Sequence, residues 1–163
     1  MFKSILCPID GSETSAEALD IAARLAAEQG ASLTVCTVVN PSKASAMAFG
    51  DPAMSAACFN ALDDEARAMV TETVEKVKNV IPAESVCLNG ETVPSIVNCA
   101  ERQHADLIVM GSHGRTGISR AVIGSVAEGV VRYATVPVLI VRSARKIGAR
   151  GSVQDAGTAV PAK

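Results

Sequence analysis

Three glycines and a serine late in the chain have the residue types and spacing of a phosphate-binding loop. Gly111 follows an apolar run, Gly114 lies three residues on, and Gly124-Ser125 opens the next helical pattern. Glycine can adopt positive φ and lets a ligand approach main-chain N–H groups without a Cβ in the way. A helix start adds unpaired N–H donors and a partial positive charge. The pattern predicts a phosphate site, although an ordinary tight turn would use the same glycines.

Ser125 permits two interpretations. Ser125-x-x-Glu128 has the pattern of a capping box, in which the hydroxyl only satisfies an N–H group of the following helix. Alternatively, the hydroxyl and the backbone amides of Ser125, Val126 and Ala127 donate to phosphate oxygens. The two are compatible if the backbone amides do most of the binding, and we expect Glu128 to face away from the site or to bond the cap.

His113 and Arg115 lie inside the glycine-rich segment. His113 could donate to a phosphate, and protonation near its ordinary pKa of about 6.5 would strengthen that bond. It could equally be a turn residue that contributes mainly its backbone N–H. Arg115 could screen phosphate charge, or it could be an ordinary solvated surface arginine.

The chain lacks the parts of a fast nucleotide hydrolase. It has no G-x4-G-K-[ST] motif, so it is not a P-loop NTPase. No lysine follows the glycines, and no second acidic motif has the pattern of a magnesium holder. We therefore expect binding without fast hydrolysis, and a binding protein rather than a metabolic enzyme.

The elements that must position this loop alternate between strand and helix patterns. This alternation predicts an α/β fold with a parallel sheet and right-handed crossovers. A capping box at Thr14-x-x-Glu17 predicts the start of the first helix, and Gly30 predicts its end. Strands are predicted over residues 4–9, 32–39, 85–88, 106–110 and 138–142.

Two segments have little pattern. Residues 41–60 mix Pro, Gly, Ala and Met, which indicates a mobile loop or a partial helix. A helix is predicted over 61–80, and the residues on its inward face are Leu62, Ala66, Met69, Val70, Val74 and Val77. The tail over 144–163 mixes small and charged residues, and we expect it to be disordered.

Composition limits the class of protein. The chain has 163 residues, a formal net charge of −2, 48% hydrophobic residues and only 2% aromatic residues. One domain with a core of Val, Ile, Leu and Ala is expected. The charge indicates no general attraction to nucleic acid, and no apolar run is long enough to cross a membrane. With no signal peptide at the first residues, we expect a soluble cytoplasmic protein.

The cysteines and histidines indicate no metal or disulfide framework. The five cysteines form no C-x-x-C pair, and there are only two histidines. Cys7 and Cys36 lie in apolar strands, where reduced buried thiols are expected. Cys58 falls in the expected loop and is the best candidate for an exposed, oxidisable thiol.

Three separated motifs together resemble the universal stress protein family, in its ATP-binding type. The signature G-x2-G-x9-G-S is formed by Gly111, Gly114, Gly124 and Ser125. The run from Ile5 to Ser12 is similar to the family's first strand and acidic turn, and the run 136–142 is similar to its last strand. The match extends in order over a domain at 1–143 and is poor near 41–60.

The resemblance implies a doubly wound, five-stranded parallel sheet in the order 3-2-1-4-5, a Rossmann-like fold of the adenine-nucleotide alpha-hydrolase type. The ends of strands one and four would then meet where the order reverses, which brings Asp10 next to Gly111. Asp10 is expected to accept from ribose hydroxyls, although an Asx-turn is the alternative. The residues expected to form apolar walls around adenine are Pro8, Ile9, Val38 and Met110. Each of them could instead be a simple core residue.

The resemblance also implies a function. ATP, alone or with Mg²⁺ on its phosphates, is the expected ligand, although the spacing does not separate ATP from ADP or AMP. The protein would act as a sensor or regulator in a stress response, through a nucleotide-dependent change that an unknown protein partner reads. A homodimer through Val138–Val141 is also implied.

Three alternatives stay open on the sequence. One is a slow ATPase or an adenylate-transferring relative. Another is a nucleotide-free stress protein that works through protein contacts alone. The last is a redox module that uses Cys58 or Cys99, which the missing C-x-x-C disfavours.

Overall fold

The computed structural model describes residues 1–49, 51–114 and 123–142. The described ranges contain five strands and five helices in alternation, with two helices between the second and third strands. In chain order these are β1 (Ser4–Pro8), α1 (Glu13–Gln29), β2 (Ser32–Val39), α2 (Pro41–Met47), α3 (Pro52–Val77), β3 (Ala83–Asn89), α4 (Thr92–Arg102), β4 (Leu107–Gly111), α5 (Ser125–Tyr133) and β5 (Val138–Val141).

The strands form one parallel sheet in the order β3-β2-β1-β4-β5, which confirms the predicted order. In β1, Ile5 pairs with Leu33 on one side and with Leu107 on the other. The chain winds from β1 outward to β3, then crosses to β4 and continues outward to β5. The order therefore reverses between β1 and β4, and their carboxyl ends diverge into a crevice.

Both faces of the sheet are covered. Side chains alternate along each strand, so Ile5 and Cys7 pack on one face with α1 and α3, whereas Leu6 packs on the other with α4 and α5. Fully buried Val, Ile, Leu and Ala dominate both clusters. The core of small aliphatic residues that the composition predicted is confirmed.

Helix α1 begins two residues earlier than its predicted capping box implies. Its N-cap is Ser12, whose backbone is extended and whose hydroxyl accepts from Ser15 N at 3.3 Å. The predicted cap at Thr14 is wrong, because Ser12 supplies the same chemistry where the chain is still extended. The predicted end is confirmed, since Gly30 has the left-handed φ of 64° that glycine adopts without strain.

Residues 41–60 are mostly helical, so the prediction of a mobile loop is wrong and that of a partial helix is closer. Asn40 caps α2 by accepting from Ser42 N at 2.8 Å, and Asp51 caps α3 by accepting from Ala53 N at 2.8 Å. Each helix has proline in its first turn. Little of this stretch is buried, which explains why its sequence carries no clear helical period.

The helix predicted over 61–80 begins nine residues earlier than predicted, at Pro52, and ends at Val77, whereas the strand boundaries are close to those predicted. β3 is longer at both ends than predicted, and Cys58 lies in α3, half-buried, rather than in a loop. Among the described helices, none combines the length and apolar character that crossing a bilayer requires. The predicted disordered tail at 144–163 lies outside the described residues.

Candidate functional site

A cavity of about 570 Å³ opens at the carboxyl ends of β1 and β4, where the strand order reverses. Twelve of the thirteen site residues predicted from the sequence line it, and the remaining one, Arg115, lies outside the described residues. The twelve are Pro8, Ile9, Asp10, Val38, Met110, Gly111, His113, Gly114, Gly124, Ser125, Val126 and Ala127. The structure thus brings them to one place, while their roles toward a ligand stay predictions.

The first turn of α5 forms one wall of this cavity. Gly124 is the N-cap residue, and no side chain caps the helix. The first N–H groups of an α-helix have no partner within the helix, and they carry the positive end of its dipole. The amides of Ser125, Val126 and Ala127 therefore provide donors for an anion at this wall.

The predicted capping box at Ser125 and Glu128 is wrong. Ser125 is already the first helical residue, one position too late to act as the N-cap. Glu128 instead pairs with Arg132, at 3.0 Å between Oε1 and Nη2, and both side chains are exposed. Of the two expectations for Glu128, the one in which it faces away from the site is confirmed, because its side chain pairs with Arg132 and does not line the cavity.

The three signature glycines allow close packing rather than unusual backbone torsions. None of them has positive φ, unlike Gly11, Gly30 and Gly90. A Cβ on Gly111 would lie 2.9 Å from the Thr14 carbonyl carbon, and one on Gly124 would lie 3.0 Å from Ser112 O. The prediction that these positions need glycine in order to adopt positive φ is therefore wrong.

Gly111 also lies at the end of β4 rather than in the loop. The space beside it is filled by the start of α1, although the residue still lines the cavity. Its lack of a side chain thus lets α1 pack against β4. Gly114 is different, since its neighbour is the carboxylate of Asp10.

Asp10 forms the Asx-turn that the sequence offered as the alternative to a ribose contact, and the ribose contact stays a prediction. Its Oδ1 accepts from Ser12 N at 3.1 Å and from the Ser12 hydroxyl at 2.6 Å, which is an Asx-turn. Its Oδ2 faces Gly114, and the residue lines the cavity. The Asx-turn orients the carboxylate toward the crevice, so one oxygen organises the chain while the other faces the glycine segment.

His113 is engaged through both its ring and its backbone. Its Nδ1 lies 2.9 Å from the hydroxyl of the buried Ser112, and its carbonyl oxygen accepts from the Thr14 hydroxyl at 2.5 Å. Ser112 is itself held by two backbone hydrogen bonds, because its N–H donates to Val141 O and its carbonyl accepts from Gly124 N. The two residues before Gly114 are therefore held by three neighbouring elements.

Sequence reasoning missed the wall opposite α5, which α2 and α3 supply. Leu62, Ala66 and Met69 were assigned to the core face of a helix, and they do share one face. That face divides along its length, since Val70 and Val74 are buried in the core while the earlier residues border the cavity. The other lining residues that were not predicted are Ser15, Thr37, Val39, Asn40, Lys43, Glu65, Thr92, Ile96, Ser112 and Ile123.

The wall on the β2 side has a different character from the α5 wall. Val38, Leu62 and Met69 make it largely apolar, and Lys43 and Glu65 add one charge of each sign from exposed positions. An apolar slot with a few polar groups is typical of sites for aromatic rings. Helical spacing of Leu62, Ala66 and Met69 was the available signal, but it cannot separate a core face from a pocket face.

The buried thiols lie away from the cavity's polar walls. Burial raises the pKa of Cys7 to about 12. A hydrogen bond between the Cys36 and Cys99 thiols raises the pKa of Cys36 and lowers that of Cys99 to about 7. Only 1% of Cys99 is exposed, so oxidants and disulfide partners have little access to it.

Comparison with known proteins gives a consistent result. The family model described as the universal stress protein family matches residues 1–142. Universal stress protein YxiE of Bacillus subtilis is 35% identical over 148 residues, which cover 87% of this chain and all of that protein.

Solved structures of similar proteins lead to the same family. The hypothetical protein MJ0577 of Methanocaldococcus jannaschii superposes with a TM-score of 0.79 at 27% identity, covering 89% of this chain and 99% of that one. A universal stress protein solved in complex with cAMP superposes with a TM-score of 0.62 at 26% identity, covering 88% and 98%. The chain therefore belongs to the universal stress protein family.

Proposed function

We propose that this protein binds an adenine nucleotide, with ATP as its ligand, and regulates a stress response in the cytoplasm. The observation that carries the proposal is one cavity bordered by the uncapped first turn of α5, the carboxylate of Asp10 and an apolar wall beside β2. These three surfaces match the phosphates, the ribose and the base of a nucleotide. The relative solved with cAMP supports an adenine nucleotide.

The ligand would lie across the crevice from β2 to α5. Its phosphates would accept from the amides of Ser125 and its two successors, where the helix dipole favours negative charge. Its ribose hydroxyls would donate to Asp10, and its base would pack against Val38 and Met69. A volume of about 570 Å³ falls within the range of small-molecule sites.

Magnesium would depend on the nucleotide rather than on a protein cage. Within the described residues, no group of three or more His, Cys, Asp or Glu side chains could hold a metal ion. Because Mg²⁺ in nucleotide sites is commonly held by phosphates and one or two carboxylates, Asp10 is the residue that would contribute.

The direct test is to identify what the protein carries. Freshly purified protein is denatured without added ligand, and the released molecules are identified by chromatography and mass spectrometry. ATP near one per chain supports the proposal. If the protein is empty, calorimetric titration with ATP, ADP and AMP follows, and no heat with any of them would contradict nucleotide binding and favour function through protein contacts alone.

Regulation would act through the helices that border the cavity. Lys43 of α2 and Leu62 of α3 line the same space as the glycine segment, so a bound nucleotide would contact both sides. Ligand binding would then favour one arrangement of the exposed 41–60 surface, which a partner protein reads. Hydrogen exchange over 41–60 should slow on saturation with ATP, and unchanged exchange would exclude this mechanism.

A homodimer through β5 belongs to the same proposal. β5 is the edge strand of the sheet, and its Leu139 is exposed. Edge strands pair readily with a second copy. Light scattering should give the mass of two chains, and Leu139→Lys should give one. A monomer mass for the unaltered protein would contradict the pairing.

Slow ATP hydrolysis is the second candidate, because Glu65 and His113 both line the cavity and each can accept a proton from water. Phosphate release should then scale with protein concentration and fall by about tenfold or more in Glu65→Gln or His113→Asn. Phosphate release that is the same in both variants as in the unaltered protein would indicate a contaminating enzyme.

A further inference from the structure

Thr14 is not part of the glycine signature, yet its hydroxyl meets that signature directly. Thr14 lies in the first turn of α1, and its Oγ1 donates to His113 O at 2.5 Å, across 99 residues of sequence. The approach depends on Gly111, since a Cβ there would lie 2.9 Å from Thr14 Oγ1. A residue of the first crossover thereby contacts the loop that follows β4.

Thr14 is the principal hydroxyl donor to the His113 carbonyl. A hydroxyl has one proton to donate. The proton of Ser12 goes to Asp10 Oδ1 at 2.6 Å, and its 3.4 Å approach to His113 O is much longer. Thr14 Oγ1 lies 3.2 Å from Ser12 Oγ, so the two hydroxyls are adjacent and donate in different directions.

A held carbonyl also orients the amide that follows it. The His113 C=O and the Gly114 N–H belong to one planar peptide unit, and in the trans form they point to opposite sides. A hydrogen bond that fixes the carbonyl therefore fixes the direction of the Gly114 N–H. Asp10 Oδ2 also lies close to this peptide, because it occupies the space in which a Cβ on Gly114 would lie.

We propose that Thr14 is a positioning residue for the nucleotide: its hydroxyl fixes the His113–Gly114 peptide so that the Gly114 N–H meets phosphate in a single orientation. This inference rests on the proposed function for its ligand. It extends the site from the signature residues to the start of α1. Through Ser12 and Asp10 it also joins the ribose end of the crevice to the phosphate end.

The test compares Thr14→Val, which removes the hydroxyl and keeps the branched shape, with Thr14→Ser, which keeps the hydroxyl. Thr34→Val is the matched control, because Thr34 donates to Glu84 at 3.1 Å in the sheet and does not line the cavity. Calorimetry measures binding of ATP and of adenosine, which has no phosphate. Melting curves without ligand establish that each variant is folded.

Thr14→Val should weaken ATP binding by about 3- to 10-fold, the ratio that corresponds to one hydrogen bond. Adenosine binding should change by less than about twofold on the same scale, and Thr14→Ser and Thr34→Val should resemble the unaltered protein. An unchanged ATP affinity in Thr14→Val would overturn the proposal. Equal loss for ATP and adenosine would also overturn it, because Thr14 would then only support the fold.

A second readout needs no nucleotide. NMR relaxation gives the backbone order parameter of the Gly114 amide in ligand-free protein, and Thr14→Val should lower it while Thr34→Val leaves it unchanged. Equal order parameters in all three proteins would overturn the positioning role. If the unaltered protein binds neither ATP nor adenosine, the proposed function fails, and the Gly114 order parameter then decides whether Thr14 fixes this peptide.

Discussion

Asp10 and Gly114 face each other across the crevice so closely that a methyl group on Gly114 would lie 2.5 Å from Asp10 Oδ2. The two residues are separated by 104 positions in the sequence and meet because β1 and β4 are neighbours in the sheet. The turn that contains Asp10 and the chain at Gly114 therefore pack directly against each other. The need for glycine at this position comes from the carboxylate that it faces.

Gly114→Ala should accordingly damage the site through Asp10. The new Cβ must displace the carboxylate from its bond with Ser12, so we expect ATP affinity to fall by about tenfold or more and stability to fall by about 1–3 kcal/mol. Urea unfolding and calorimetry measure the two effects. In Asp10→Ala/Gly114→Ala the stability loss should be smaller than the sum of the single losses. Additive losses would show that the two residues do not interact.

Ser125→Asp should separate the helix from its ligand. A carboxylate in the first turn of α5 interacts favourably with the helix dipole, by about 0.3–1 kcal/mol, so the variant should be as stable as the unaltered protein or slightly more stable. The same charge repels phosphate, so ATP should bind about tenfold or more weakly while adenosine is little affected. Ser125→Asn is the neutral control of the same shape. Similar ATP affinities in the two variants would place the phosphates elsewhere.

The thiols should react in an order set by burial. Cys58 and Cys87 are half-buried, and burial together with the charge of Asp63 raises the pKa of Cys87. We expect iodoacetamide to label Cys58 first, Cys87 more slowly, and the three buried thiols only on unfolding. Peptide mass spectrometry gives the rates, with Cys58→Ser as the control for the first phase. Rapid labelling of Cys99 would instead favour the redox alternative.

Stability should decline at alkaline pH because of Cys7. Its pKa is about 12 in the folded protein, whereas an unfolded thiol titrates near its ordinary value of about 8.5. Between these values the unfolded chain has lost the proton that the folded protein retains, so each pH unit costs about 1.4 kcal/mol. Below the lower value the contribution is constant. The free energy of unfolding should therefore fall from about pH 9 upward.

The control for this effect is Cys7→Ala. This variant loses some stability at every pH because it shortens a buried side chain, but its decline above pH 9 should be shallower by roughly one proton. Urea unfolding at several pH values measures both slopes. Parallel curves for the two proteins would assign the alkaline decline to other groups, such as Cys36, whose pKa is also raised.

The sequence by itself determined the class of fold and most of the candidate site. Alternating strand and helix patterns are local properties, and the resemblance carried by the Gly111–Ser125 signature supplied the strand order that the structure confirms. Twelve predicted residues reach one cavity because topology alone places the ends of neighbouring parallel strands together. The end of α1 at Gly30 was also predictable, since only one residue has to adopt left-handed torsions there.

Only the tertiary structure decided which partner each group meets. Ser12 rather than Thr14 caps α1, which releases the Thr14 hydroxyl for a carbonyl 99 residues away. Leu62 and Val70 belong to one apolar helix face, yet one borders the cavity and the other is core. Helical spacing is the same in both cases, because periodicity records only that a face is apolar. Whether that face meets a sheet or an open crevice depends on the packing of distant elements.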